Sequence, residues 1–384
     1  MRWTTGRPVR LLLLSIIISS EGARFYLTGV AYANGRYVAV GQMDSGDFGM
    51  VQTSDDGVNW TESPSSVYDL YDVTFGNGVF VAVGWDYFSG QNIYHSTNGI
   101  NWTPHTTAIA NVNRVTFGNG LFVAVGDGLL LNSGNQTNQR IYTSVNGTAW
   151  TPRRDGGPLQ PGNSSYLSDV AYGAGRFVAV DGSANFYTST SGLTWTSTAN
   201  SRAAGRISCC NGLFIASSGL GTNLVSSDGV SWSVLTNTTG AYFGRVIYAG
   251  GRYMVGSNSK AFTSTDGTNW VQLNVPQPLN GNLAAVAFGA GRFIVVGSSY
   301  SPSPQVPVAY ISDPIVALSM NPGLPPQLNV SGLLGRSYRI EHLTDVQSTN
   351  WQTLGTFMLT NSPATWSDTT ATNASRIYRA VLLP

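Results

Sequence analysis

Seven residues fill one recurring place in this chain, and their types are where chemistry would begin. In order they are Gly29, Asp72, Arg114, Asp169, Arg206, Arg245 and Ala285, each just ahead of a strand-like run. Arg114, Arg206 and Arg245 together would hold an anion such as the carboxylate of a uronate or sialate, since a guanidinium fork matches a carboxylate. Asp72 and Asp169 alternate with Arg114 and Arg206, which favours a second outcome, ion pairs between neighbouring units. Paired carboxylates for general acid–base hydrolysis would have to come from Asp, because Glu62 is the only Glu between residues 24 and 318.

Other chemistry is sparse. Charged residues make up 10% of the chain and the net charge is +1, against about 25% charged in an average protein. Lys260 is the only lysine. Without a basic block, neither nucleic acid nor an anionic membrane is an expected partner. Cys209 and Cys210 are adjacent, so in a strand they face opposite ways and do not form a disulfide. His95, His105 and His342 are scattered, and no metal or cofactor is expected. Gly-rich stretches such as Gly76-Asn77-Gly78 are turns rather than phosphate loops, because strand follows them instead of helix.

The elements that must position these residues are repeated hairpins. Six stretches place Ser six residues before a Trp and Gly three before it. The sets are Ser54, Gly57 and Trp60; Ser96, Gly99 and Trp102; Ser144, Gly147 and Trp150; Ser189, Gly192 and Trp195; Ser226, Gly229 and Trp232; Ser264, Gly267 and Trp270. Most turn on Asp-Gly or Asn-Gly, the strongest short-range hairpin signal. A two-residue turn at Asp56-Gly57 would set Thr53 opposite Trp60. The intervals of 37 to 48 residues indicate an array of blades.

A second hairpin precedes each of these. Its turns are Asn34-Gly35, Asn77-Gly78, Asn119-Gly120, Ala174-Gly175, Asn211-Gly212, Gly250-Gly251 and Ala290-Gly291, seven in all. Aromatic residues flank most of them and pair across the turn, as Phe75 does with Phe80. Two hairpins per repeat give four strands. The expected fold is all-β, a seven-bladed β-propeller with four-stranded blades over residues 23–320, followed by a small β-sandwich over 321–384. Short turns share one end of every blade, so the long connections share the other and form the candidate binding face. Trp85, Tyr87, Arg153 and Arg154 stand out there, beside Phe48, Arg140 and Tyr166.

Both ends of the chain carry their own expectations. Arg2, Arg7 and Arg10 precede the apolar run Leu11 to Ile18, and Ser20-Glu21-Gly22-Ala23 follows, as in a secretory leader cut after Gly22. The run is too short to span a bilayer. The seventh repeat keeps Val308 to Ser312 but lacks the later Gly and Trp. Ile315 to Met320 is the favoured outer strand for that blade, with N-terminal Arg2-Trp3-Thr4, which echoes the Trp-Thr of earlier repeats, as the alternative.

The Ser-x-Asp-Gly-x-x-Trp hairpins resemble the Asp-box, or BNR, repeats of sialidase-like propellers, with one residue fewer between Asp and Gly. That resemblance implies a folding device on the blade periphery, away from any active centre. The sialidase Arg-Ile-Pro segment and Tyr–Glu pair are absent. From Gly335-Arg336-Ser337-Tyr338-Arg339-Ile340-Glu341 to Arg376-Ile377-Tyr378-Arg379-Ala380, the last 60 or so residues resemble a C-terminal domain of secreted Verrucomicrobia-type bacterial proteins. This implies an exported or cell-surface bacterial protein. The expected function is a monomeric, non-enzymatic binding or scaffold protein for a glycan or protein ligand. The alternative is a degenerate sialidase-like hydrolase or lyase acting on an acidic sugar.

Overall fold

The computed structural model describes residues 11–15, 25–43, 48–86, 92–105, 111–127, 140–154, 166–200, 202–217, 222–235, 242–273, 281–299, 306–312, 317–321, 325–331, 337–344, 350–360, 364–371 and 376–383. Among them are seven four-stranded antiparallel sheets and two three-stranded ones. The innermost strands of the first six four-stranded sheets are Phe25–Ala33, Asp69–Gly76, Val112–Gly118, Asp169–Gly173, Arg206–Cys210 and Val246–Ala249, and that of the seventh is Gly281–Gly289. Each innermost strand contacts the next, and the seventh contacts the first. The seven sheets therefore close on themselves.

The first hairpin of each sheet forms as its sequence dictates. Asn34, Asn77, Asn119, Ala174 and Ala290 have φ between 45° and 52°, and the glycines after them are also positive. That is the type I′ geometry, whose twist suits two antiparallel strands. The aromatics meet across it, with ring centroids 4.5 Å apart for Tyr32 and Tyr37 and 4.7 Å for Phe75 and Phe80. The glycine ahead of the turn has a separate task. A Cβ on Gly76 would lie 2.1 Å from the Phe117 ring, and one on Gly289 would lie 2.2 Å from Tyr32. Each bare backbone thus receives the next sheet's aromatic ring. The second contact joins the seventh sheet to the first.

The second hairpin differs from its expected form. Thr53 pairs with Thr61, not Trp60, and His95 pairs with Thr103. Gly57 has φ +76°, while Asp56 is not in the left-handed region, so this is not a type I′ turn. Side chains build the loop instead. The Ser54 hydroxyl accepts the Gly57 N–H at 2.8 Å, and Asp56 Oδ1 accepts the N–H groups of Val58 and Asn59 at 2.7 and 2.8 Å. The Trp60 indole then donates to the Gly57 carbonyl at 3.2 Å. These bonds satisfy loop backbone that no strand partner reaches. The loop also touches the preceding sheet, because a Cβ on Gly99 would fall 2.6 Å from Val38.

The seventh sheet corrects another expectation. Its outer strand is Leu11–Ser15, paired antiparallel with Val306–Ser312 so that Leu11 faces Ser312 and Ser15 faces Val308. Ala317–Asn321 pairs instead with Gln327–Ser331, and Arg2-Trp3-Thr4 lies outside the described residues. A free edge needs only backbone partners of matching length, and the N-terminal strand supplies them without any repeat signature. The two three-stranded sheets contain Ala317–Asn321, Gln327–Ser331 and Ala364–Ser367 in one, and Gln352–Met358, Ser337–Leu343 and Ile377–Leu382 in the other. Leu328 and Val330 of the first share a buried cluster with Tyr338 and Ile340 of the second.

Candidate binding site at the mouth of the ring

The seven recurring positions sit at one level of the ring. Gly29 pairs with Val40, Asp72 with Val83, Arg114 with Val125, Asp169 with Val180, Arg206 with Ser217 and Ala285 with Val296. In the first, second, third and seventh sheets the strand begins earlier than expected. The register slips at Leu27/Gly29, Leu70/Asp72, Val112/Arg114 and Leu283/Ala285. Such a bulge re-aims the side chain that follows it.

The charged groups do pair, but not between neighbouring sheets. Arg245, from the sixth sheet, reaches across to the second and fourth. Its Nη1 lies 2.9 Å from Asp72 Oδ2, and its Nη2 lies 3.1 Å from Asp169 Oδ1. Each carboxylate also links two sheets through backbone. Asp72 accepts the N–H groups of Val73 and Val115, both at 3.0 Å, and Asp169 accepts those of Val170 at 2.8 Å and Ile207 at 3.1 Å. The Asp72 and Asp169 side chains are only 5% and 0% exposed. Burial disfavours the Arg245 cation, but the two carboxylates outweigh that and raise its pKa.

Arg114 and Arg206 are left over. Among the described residues neither reaches a carboxylate within ion-pair distance. Arg114 donates instead to the carbonyls of Asn113 at 2.6 Å and Tyr71 at 3.3 Å. Burial, and then the neighbouring Arg206 cation, push its pKa down to about 10, against a smaller opposing pull from the Asp72 and Asp169 carboxylates. Two half-buried guanidinium groups therefore share the mouth at the cost of mutual repulsion. An arriving anion would relieve that repulsion.

The other expected site residues lie apart from this cluster. Arg153 ends the outer strand Thr151–Arg153 of the third sheet, with its Nε 2.9 Å from Thr143 Oγ1, and Arg154 follows in an exposed position. Three strand spacings, about 14 Å, separate that outer strand from the innermost one. Trp85 closes the strand Val79–Trp85 and is 37% exposed. Tyr87 lies outside the described residues. Phe48 and Tyr166, 61% and 45% exposed, add aromatic surface at the loop end. Arg140 is buried, and its Nη2 donates to the Tyr187 hydroxyl of the next sheet at 3.0 Å. Its role is packing, which its place in a long connection did not reveal.

Comparison with solved structures decides the fold. A structure described as YCF48 bound to D1 peptide matches with TM-score 0.54 at 16% identity, covering 80% of this chain and 97% of that one. The WD40 β-propeller domain of Doa1 matches with TM-score 0.53 at 14% identity, with the same coverage of 80% and 97%. The fold is a β-propeller. No family model and no curated protein matches this chain. Among the described residues, no helix is long and apolar enough to cross a membrane. In this propeller the mouth joins three arginines to two carboxylates, and the carboxylates are already occupied.

Proposed function

We propose that the protein is a non-enzymatic, seven-bladed binding propeller with a C-terminal β-sandwich, which holds a protein or peptide partner on its loop end. A carboxylate of the partner is taken by Arg114 and Arg206. The observation that carries this reading is the excess positive charge of the mouth: Arg245 makes ion pairs with both acidic residues, while Arg114 and Arg206 have no ion-pair partner among the described residues. The exposed rings of Phe48, Trp85 and Tyr166 offer apolar and stacking surface around the mouth. A propeller of similar fold has been captured with a peptide, which is consistent with this use.

The hydrolase reading is weaker for a specific reason. Asp72 and Asp169 both bond one guanidinium, so they come close enough to be considered as the paired carboxylates of a hydrolase. Both oxygens of each, however, already accept backbone N–H groups, and neither side chain is open to a substrate. A glycan with an acidic group remains the second reading, since a uronate carboxylate would suit the same two arginines.

The resemblance of the C-terminal domain to those of secreted bacterial proteins supports an exported bacterial protein as part of the same proposal. A cut after Gly22 would remove the strand that pairs with Val308–Ser312. N-terminal sequencing of protein recovered outside the cell tells whether the ring is closed by its own N-terminus. For the ligand, the purified chain is applied to peptide and glycan arrays. Capture by carboxylate-bearing peptides supports the proposal, and capture by neutral glycans alone contradicts it.

A further inference from the structure

The hairpin register brings together two histidines that lie ten residues apart in the chain. His95 is on Ile93–Ser96 and His105 on Thr103–His105, the third and fourth strands of the second sheet. His95 pairs with Thr103 and Ile93 with His105, so the two imidazoles stand diagonally on one face. His95 Nδ1 and His105 Nε2 are 2.8 Å apart. Both side chains are half-buried. Ile93 on the same face is fully buried in the cluster between the second and third sheets, which anchors the strand beneath them.

We propose that His95 and His105 form a two-imidazole chelate for a divalent transition-metal ion, with copper(II) held most tightly. Imidazole nitrogens bind such ions at about 2.0–2.1 Å, so two of them at a right angle sit about 2.8–3.0 Å apart. The observed separation already has that bite. The rings also depart from a straight N–H···N line. Two imidazoles in line through an N–H···N bond of this length would hold their centroids roughly 5 Å apart, whereas these centroids are 4.7 Å apart with the planes tilted by 34°. A small rotation of each ring, with the bridging proton moved to the other nitrogen of the donor ring, then turns both lone pairs onto one ion. A chelate mounted on paired strands costs little conformational entropy on binding.

Among the described residues, no group of three or more His, Cys, Asp or Glu could hold a metal. As far as the described residues go, the proposed ion keeps open positions for water or for a donor on a bound partner. Two neutral nitrogens with open positions suit tetragonal copper(II) or nickel(II), and the general affinity order places copper(II) above zinc.

Copper(II) titration of the full chain tests this, read by a competing chromophoric chelator and by electron paramagnetic resonance. One ion per chain is expected, with a spectrum showing two nitrogen donors. Loss of even an outer hydrogen-bonding partner weakens metal sites by about 10–100-fold, so His95→Asn and His105→Asn should each weaken binding by at least tenfold. Their melting temperatures should match the parent's. If either fails to fold, His95→Gln and His105→Gln serve the same purpose. Absence of binding, or equal copper affinity in the parent and both variants, overturns the proposal.

Discussion

The propeller contains two rings of equivalent positions that behave in opposite ways. Around the periphery, six hairpins repeat one set of bonds: the Ser hydroxyl accepts the Gly N–H at 2.8 Å in the first, second and fourth, and at 2.9 Å in the third. Around the mouth, the aligned positions carry Gly, Asp, Arg and Ala, and only Asp72 and Asp169 make matching contacts, each to its own strand, to the next sheet and to Arg245. Repetition marks what each sheet needs in order to fold against its neighbour. Departure from repetition marks what the ring needs only once. The peripheral residues are thus read as structural, and the mouth residues as the place to look for function.

Breaking the outer ring should have the largest effect on stability. Trp102 is buried against the cluster between the first two sheets, and its indole donates to the Gly99 carbonyl at 3.1 Å. Trp102→Ala should destabilise the protein by about 3–5 kcal/mol and leave ligand selectivity unchanged. Chemical denaturation checks the first part, and the arrays check the second. An unchanged midpoint would mean that the hairpins do not hold the blades.

Breaking the inner ring at Arg245 comes next. Its removal leaves two buried carboxylates facing each other, and orphaning a buried charge costs about 3–5 kcal/mol. Their four backbone N–H bonds reduce that, so Arg245→Ala should cost about 2–3 kcal/mol by the same measurement. A neutral outcome would show that the cross-ring ion pair is not formed.

Acid separates the peripheral hairpins from one another. Asp56, Asp228 and Asp266 cap three of them, while Asn98 and Asn146 cap two more. Backbone N–H groups of Ser231 and Val230 hold the Asp228 carboxyl well below its usual range. Burial works against Asp56 and Asp266, but the bonds from Asn59 and Val58, and from Asn269 and Thr268, outweigh it. Groups with depressed pKa stabilise the fold fully above their unfolded value, about pH 4, and lose that contribution as pH falls toward the folded value. The Asp56→Asn, Asp228→Asn, Asp266→Asn triple variant should therefore show a flatter fall of melting temperature below pH 4 than the parent. Equal slopes would mean these bonds carry no linkage.

The smallest expected effect concerns the type I′ turns. Ala174 has φ +46° and Ala290 has φ +45°, where a Cβ is strained. Ala174→Gly should raise stability by about 0.5–1 kcal/mol, since the relief exceeds the added chain entropy. A loss of stability would place the strain elsewhere.

Much of the first hairpin of each sheet was legible because every copy uses the same local chemistry. The aromatic pairs and the positive φ at Asn77-Gly78 follow from turn geometry and period-two alternation alone. Three things were not legible. Leu11–Ser15 has no repeat signature, and its apolar run reads equally well as a leader, so only the free edge of Val306–Ser312 reveals its place. Arg245 pairs across the ring, and alternation along the chain says nothing about which long side chain spans it. His95 and His105 looked unrelated because their meeting depends on a hairpin register one residue longer than the turn dipeptide suggests.

The central claim is that Arg114 and Arg206, without an ion-pair partner among the described residues, are held for a partner rather than for the fold. The most direct test compares the parent with the Arg114→Gln, Arg206→Gln double variant, measuring melting temperature and affinity for the carboxylate-bearing peptide captured on the array. The account predicts an equal or higher melting temperature, because a like-charge repulsion is removed, together with at least a tenfold loss of affinity, about 1.4 kcal/mol. Unchanged affinity, or a lowered melting temperature with affinity retained, would contradict it.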